Sequence, residues 1–208
     1  KAKGVRGISA FIVPKGTQGL STGNHENKMG IRTSSTTDVV MEDVRVPASA
    51  LLGKEGMGFM IAMKTLDESR AYVGAGAVGI AQRAIDEAVK YSKQRVTFGK
   101  PISNHQAIQF MLADMDIKTS TARSMVAEAV LRQERKLPYA KESAIAKCYA
   151  GDIAVQVALD AIQILGGYGY SREYPVEKLL RDAKIFQIYE GTNQIQRMVI
   201  AKNVIKGK

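Results

Sequence analysis

From Gly58 to about Lys93 the sequence contains no proline, and its apolar residues fall at helical spacing. Phe59, Met60, Met63 and Leu66 mark the first turns, and Val78, Ile85, Ala88 and Val89 the later ones. At ~1.5 Å per residue, such a helix spans roughly 50 Å. Further helical patterns cover approximately 103–135, 141–166, 175–188 and 193–206. Long helices joined by short connections predict a mainly α fold, an up-and-down helical bundle. GAGAVGIA inside the first helix is costly for a helix, and the gain expected from it is close approach of another backbone.

The chain changes character near residue 52. Before it, GISAFIVPKG, STTDVVMEDVRV and the turn residues Gly16, Gly19, Gly23 and Gly30 read as short β-strands joined by loops. After it strand signals vanish. The expected division is therefore 1–52, part of a β-domain, and 53–208, the helical bundle. With 208 residues, 45% of them apolar, the chain can bury a sizeable core and is no disordered tail. Its apolar runs are interrupted by charges or glycines before the ~18 residues that a bilayer span needs, and the N-terminal KAKGVRG has no apolar segment of a signal peptide. A soluble, unexported protein without a membrane partner is expected. Cys148, the single cysteine, cannot form an internal disulfide and reads as a small core residue rather than a nucleophile.

The formal net charge is +10. A polyanion would suit it, yet the cations are mixed with Asp and Glu, aromatics make up only 6%, and no nucleic-acid motif occurs. A solvated face with a few phosphate contacts is the better reading, with no nucleic acid. Neither a repeat nor a heptad seam is found. His25 and His105 lie far apart, and HExxH, CxxC and GxSxG are all absent, which argues against metal and acyl-enzyme chemistry. Gly166-Gly167-Tyr168-Gly169-Tyr170 follows no strand, so it makes a poor dinucleotide fingerprint. It reads either as a helix C-cap and turn or as bare backbone for a ligand to lie against. In KQRVTFGKPISNHQ, cations at a helix end and a Gly-Pro stop account for much, but not for Phe98 or Gln106. In KTLDESRAY, the spacing of Asp67, Glu68 and Arg70 fits a solvated face with a local ion pair.

Taken together, QRVTFGKPISNHQAIQFMLADM, DAIQILGGYGYSREYPVEKLLRDAKI and IYEGTNQIQR resemble segments of the acyl-CoA dehydrogenase family, especially its short- and medium-chain or butyryl-CoA members. The motifs keep the family's order and spacing over essentially the whole chain. The resemblance implies that 1–52 is the end of the family's middle β-domain and 53–208 its C-terminal helical domain. The family's N-terminal helical domain and the first part of its β-domain have no counterpart, so the chain alone is expected to be a fragment rather than a competent enzyme.

The resemblance also implies a chemistry. Glu190 matches the family's catalytic base, which takes the α-proton of an acyl-CoA thioester while the β-hydrogen leaves as hydride to FAD, giving a trans-2-enoyl-CoA. The Glu190 backbone N–H and a ribityl hydroxyl of FAD would stabilise the enolate-like oxygen. Apolar neighbours such as Ile188 are expected to raise the basicity of the carboxylate. Arg95, Thr97 and Phe98, with His105 and Gln106, match FAD contacts, the arginine facing the pyrophosphate. Gln163, Gly166 and Gly167 match contacts to the adenosine end across a subunit interface. Thr192 and Gln194, at the start of the last helix, match further FAD contacts. Asp67 and Arg70 match acyl-CoA contacts, and Tyr189 and Gly191 line the thioester pocket.

Some branched- and long-chain relatives carry their base where this chain has Ser69, which cannot replace a carboxylate. Glu68 would point about 100° away from that direction. Lys202 stands where some relatives have arginine. The partners implied are an acyl-CoA substrate, an electron-transferring flavoprotein and further copies of the chain in a homotetramer, in the bacterial cytoplasm or the mitochondrial matrix. Two other readings are an acyl-CoA oxidase, distinguished by rapid reaction of its reduced flavin with oxygen, and a non-catalytic helical binding module. The spacing of Glu190, Arg95 and Gln163 has no purpose in the latter.

Overall fold

A computed structural model describes residues 4–207. It divides into two compact units, Lys1–Lys28 with Arg32–Leu66, and Met29–Ile31 with Asp67–Lys208. In the first, the expected strands are present but short. β1 (Ala10–Phe11) pairs antiparallel with β4 (Leu51–Leu52), and β2 (Leu20–Thr22) with β3 (Val39–Met41), placing Leu20 opposite Met41. No side chain from residue 4 to 57 is buried, and Val39 and Met41 are more than 60% exposed. Two-stranded ladders of this size cannot enclose a core. Helix α1 (Gly58–Gln94) starts at a glycine for a steric reason: the Gly58 N–H donates to the Ile8 carbonyl at 2.8 Å, and a Cβ there would lie 2.5 Å from the Ser9 carbonyl carbon.

The second unit contains the remainder of α1 together with α2 (Gln106–Glu134), α3 (Ala140–Leu165), α4 (Val176–Ala183) and α5 (Asn193–Ile205). The helical periods predict these elements closely, except that the fourth pattern is one α-helix followed by a tighter 3₁₀ turn, Lys184–Gln187. Strand signals do not vanish entirely after residue 52. β5 (Val96–Thr97) and β6 (Lys100–Pro101) form a hairpin whose turn residues, Phe98 (φ 51°) and Gly99 (φ 76°), are both left-handed, as a two-residue turn of this hand requires. Two-residue strands are too short to leave a period in the sequence.

α3 is the hub, packing on α2, α4 and α5. The bundle does carry heptad-like seams, which a search keyed to large aliphatic residues does not find because most of their members are small. Ala77, Ala81, Ala84 and Ala88 of α1 are fully buried at 4-3-4 spacing. Met115, Thr119, Ala122, Val126 and Ala129 repeat the pattern in α2, and Ala150, Ala154, Val157, Ala161 and Ile164 in α3. Small residues on facing helices let backbones approach closely, so more of each helix is removed from water. The glycine run in α1 plays this part at Gly74, where a Cβ would lie 3.4 Å from the Ala146 backbone, and at Gly76, 3.0 Å from the Phe186 ring; Gly79 faces open space.

One stretch, Ala140–Tyr170, is long and apolar enough by length and composition to cross a membrane, contrary to the expectation that no run reaches that length. More than half of its most apolar window is buried, and as the hub of a bundle it needs apolar residues on nearly every side.

Two glycine substitutions check this packing. A Cβ on Gly151 would sit 2.6 Å from the Phe186 carbonyl oxygen, whereas one on Gly79 would meet nothing within 4 Å. Gly151→Ala is expected to destabilise by about 1–3 kcal/mol, and Gly79→Ala to be neutral or stabilising by about 0.5–1 kcal/mol, both read from denaturant unfolding of the full-length protein.

Candidate active site

After the Lys184–Gln187 turn the chain must reverse to enter α5, and it does so through two left-handed residues, Glu190 (φ 57°) and Gly191 (φ 86°). Glycine adopts this conformation freely, but glutamate does so at a cost of roughly 1–3 kcal/mol, so the surroundings must hold it. Three side chains do. Lys147 Nζ donates to the Gly191 carbonyl at 2.7 Å. Gln196 Nε2 donates to the carbonyls of both Glu190 (3.2 Å) and Gly191 (3.0 Å). Thr192 Oγ1 accepts from the Ile195 N–H at 3.3 Å and caps α5.

The turn presents the half-buried Glu190 carboxylate to α1, where the Ser69 hydroxyl donates to Oε2 at 2.8 Å. Ser69 thus lies in direct contact with the carboxylate. Glu68 belongs to another face, as the helical angle predicts: its carboxylate accepts from the Tyr139 hydroxyl at 3.4 Å. Asp67 and the buried Arg70 form the expected ion pair, but Arg70 is no part of a solvated face, and its Nε is buried without a partner. Tyr189 packs edge-on against Phe186, with ring centroids 5.3 Å apart. Burial lifts the Tyr189 phenol above its ordinary value, and the charge of Glu190 adds to the effect. Ile188 is about half exposed (49%), so its apolar chain does not enclose the carboxylate.

Beneath the turn lies a network that the sequence reading missed. Lys147, fully buried in the seam of α3, also donates to Asn193 Oδ1 at 3.0 Å. Asn193 Nδ2 donates to the Cys148 carbonyl (3.0 Å) and to Asp152 Oδ1 (2.8 Å), and Arg197 closes the set on Asp152 Oδ2 at 2.6 Å. Burial alone would raise the Asp152 carboxyl, but hydrogen bonds from Arg197, Asn193 and Gln187 outweigh it and hold the group below the usual carboxylate range. Cys148 is buried as expected, and that burial pushes its thiol up, away from reactivity. The signal that could have found Lys147 is its register, three residues before Ala150 on a line otherwise made of small and apolar residues.

A second group of candidates meets at a cleft of about 660 Å³ lined by Arg95, Thr97, Gly166 and Gly167, with Tyr91 and Tyr168 among its walls. Arg95 stands at the base of the β5–β6 hairpin, where its carbonyl accepts from the Ile102 N–H at 2.8 Å. Thr97 Oγ1 and His105 Nε2 share a hydrogen bond of 3.1 Å, and Phe98, 96% exposed at the hairpin tip, meets the His105 ring edge-on. Gly166 is the C-cap of α3 (φ 61°), its N–H bonded to the Gln163 and Ile162 carbonyls, so the capping role is real. The cleft is real as well: a Cβ on Gly166 or Gly167 would meet nothing within 4 Å. Gln106, Gln163 and Gln194 are exposed and do not line it. Another cleft, of about 730 Å³, is lined by Asp67, Arg132, Tyr139 and Asn203. Among the described residues, no group of three or more His, Cys, Asp or Glu could hold a metal ion.

The buried lysine has a pH signature. Burial pushes Lys147 from 10.5 down to about 8; Arg70 acts in the same direction, while Cys148, Asp152 and Glu190 oppose it. Between about 8 and 10.5 the unfolded chain binds the proton that the folded chain has lost, so stability rises with pH through that window. The Lys147 ¹³Cε resonance is expected to titrate with a midpoint near 8, and the stability of the parent relative to Lys147→Met to improve across the same window. A midpoint at the ordinary lysine value would contradict both.

Residues 56–205 match the family model described as acyl-CoA dehydrogenase, C-terminal domain. The chain is 53% identical over 199 residues to a short-chain specific acyl-CoA dehydrogenase of Megasphaera elsdenii, covering 96% of this chain and 52% of that protein. It is 53% identical over 204 residues to an acryloyl-CoA reductase (NADH) of Anaerotignum propionicum, covering 98% and 52%. The structure of butyryl-CoA dehydrogenase from Megasphaera elsdenii superposes with a TM-score of 0.97 at 52% identity, covering 99% of this chain and 54% of that one. The chain spans about half the length of the curated relatives it matches. By sequence and by fold, the chain belongs to the acyl-CoA dehydrogenase family.

Proposed function

We propose that the chain carries the base-bearing half of a FAD-dependent enzyme that converts an acyl-CoA thioester to a trans-2-enoyl-CoA, or runs the reverse reduction. The observation that carries this reading is Glu190, whose carboxylate is held on a left-handed turn and hydrogen-bonded to Ser69 of α1. A general base needs a fixed direction more than it needs burial, and the turn supplies one. Glu190 takes the α-proton, and its backbone N–H would receive the negative charge that develops on the thioester oxygen. Ser69 keeps the carboxylate oriented between turnovers. Tyr189 and Gly191 border the thioester, and Asp67 and Arg70 contact the acyl-CoA. Residues 1–52 belong to a middle β-domain and 53–208 to a C-terminal helical domain.

The cleft at Arg95 fits FAD in kind. It offers a guanidinium for a pyrophosphate, the Thr97 hydroxyl, and glycines whose missing side chains leave bare backbone on an open face. Arg95, Thr97, Phe98, His105 and Gln106 would contact FAD, and Gln163, Gly166 and Gly167 would serve its adenosine end across a subunit interface of a homotetramer. Thr192 and Gln194 would add contacts at the start of α5. The flavin, when bound, accepts the β-hydride. The electrons pass to an electron-transferring flavoprotein, in the bacterial cytoplasm or the mitochondrial matrix.

Two substitutions in the full-length protein test these roles. Glu190→Gln preserves size but has no basic oxygen, so it should retain FAD and ligand while anaerobic flavin reduction by butyryl-CoA slows by roughly 10²- to 10⁴-fold; near-normal reduction would eliminate Glu190 as the base. Arg95→Ala should lower flavin content with the helices intact, because a charge-assisted phosphate contact is lost. A lowered melting temperature with unchanged flavin would instead mark Arg95 as a helix-end cation worth only ~0.3–1 kcal/mol.

A further inference from the structure

Lys147 has no part in the chemistry described so far, yet it is the largest fully buried side chain among the described residues. An ammonium in an otherwise small and apolar seam is tolerated only when its protons are well used. Its two bonds go to the Gly191 carbonyl and to the side chain of Asn193, the first residue of α5. The same Asn193 is tied back to α3 through the Cys148 carbonyl and Asp152. One helix therefore grips both sides of Thr192, and the carbonyl it grips directly follows the strained Glu190. Gln196 reaches that carbonyl and the Glu190 carbonyl as well, but as a neutral donor. A charge-assisted bond is roughly twice as strong as a neutral one, so the ammonium is the strongest single donor to the turn and, among the described residues, the only one that ties it to α3.

We propose that Lys147 is the positioning residue of the base: its ammonium pins the Gly191 carbonyl and so fixes the backbone conformation from which Glu190 presents its carboxylate. The inference rests on the reading of Glu190 as the base. A simple brace between α3 and α5 would need a contact to α5 alone; the direct bond to the turn is what assigns the second role. The titratable and charged groups around Lys147 are Cys148 and Asp152 on its own helix, Arg70 on α1, Glu190 on the turn, and Arg197 of α5 acting through Asp152. Above about 8 the amine keeps two hydrogens but loses its charge, so the turn loosens without being released.

The test compares full-length, FAD-loaded parent and Lys147→Met by anaerobic stopped-flow reduction with saturating butyryl-CoA across pH. Methionine matches the length of the stem and leaves no buried charge behind, so the fold should survive. The expected result is unchanged flavin content and substrate affinity with a reduction rate constant lower by roughly 10²-fold. The parent should also show an alkaline decline with a midpoint near 8 that the variant lacks. Equal reduction rates with intact flavin would overturn the proposal and leave Lys147 a structural brace. Should the variant fail to hold flavin, the parent decides: a rate constant flat between about pH 7 and 9.5 refutes the role, and a decline centred near 8 supports it. A parent whose flavin is not bleached at all would remove the acyl-CoA reading itself, and this inference with it.

Discussion

The close approach of α3 to the Lys184–Gln187 turn governs the rest of the structure. Gly151 is the contact point: the position of a Cβ there lies within 2.6 Å of the Phe186 carbonyl oxygen and 3.3 Å of the Asn193 amide. Because no side chain intervenes, the segment that leads into Glu190 settles directly on the backbone of α3. Lys147, one turn earlier on the same helix, then comes within bonding distance of Gly191. The alanine seams serve the same end at larger scale, since they let α1 approach closely enough for Ser69 to touch the Glu190 carboxylate.

Charge is distributed in two unlike ways. Some of the cations behind the net charge of +10 lie on helix faces in i,i+4 pairs such as Arg132 with Glu128 and Arg181 with Glu177, where each pair contributes little. Of the charges placed inside the bundle, Lys147 bonds the turn and Arg70 follows Ser69, which bonds Glu190, whereas Asp182 accepts from the Ile31 N–H elsewhere. Buried charge is a poor source of stability but a good source of geometry, because each proton must find a particular oxygen. A glutamate in left-handed backbone needs such a constraint, which a purely apolar core would not provide.

Much of this was legible in the sequence. Helical periods locate α1, α2, α3 and α5 to within a few residues, because one-sided burial of a long helix leaves a regular trace. Motifs such as IYEGTNQ and QRVTFGKPISNHQ carry the family and its expected base. What escaped was of three kinds. The β5–β6 hairpin is too short for any period. The seams are made of alanine, which reads as indifferent until helices are brought together. The end of α4 at Ala183 is imposed by the reversal that follows, for which Ile185 and Phe186 give no sign.

The sequence by itself determined the helical class, the order of the elements and the presence of a carboxylate at 190 between two helical segments, since all of these follow from local period and residue type. Only the tertiary structure decided what surrounds that carboxylate. Ser69, Lys147 and Glu190 are far apart along the chain, and the hydrogen bonds of Ser69 and Lys147 to the turn exist because helix packing brings three separate segments to one point. Tertiary structure also turned Arg70 from a surface cation into a buried one: helical spacing fixes which residues share a face, but what that face meets depends on the rest of the chain.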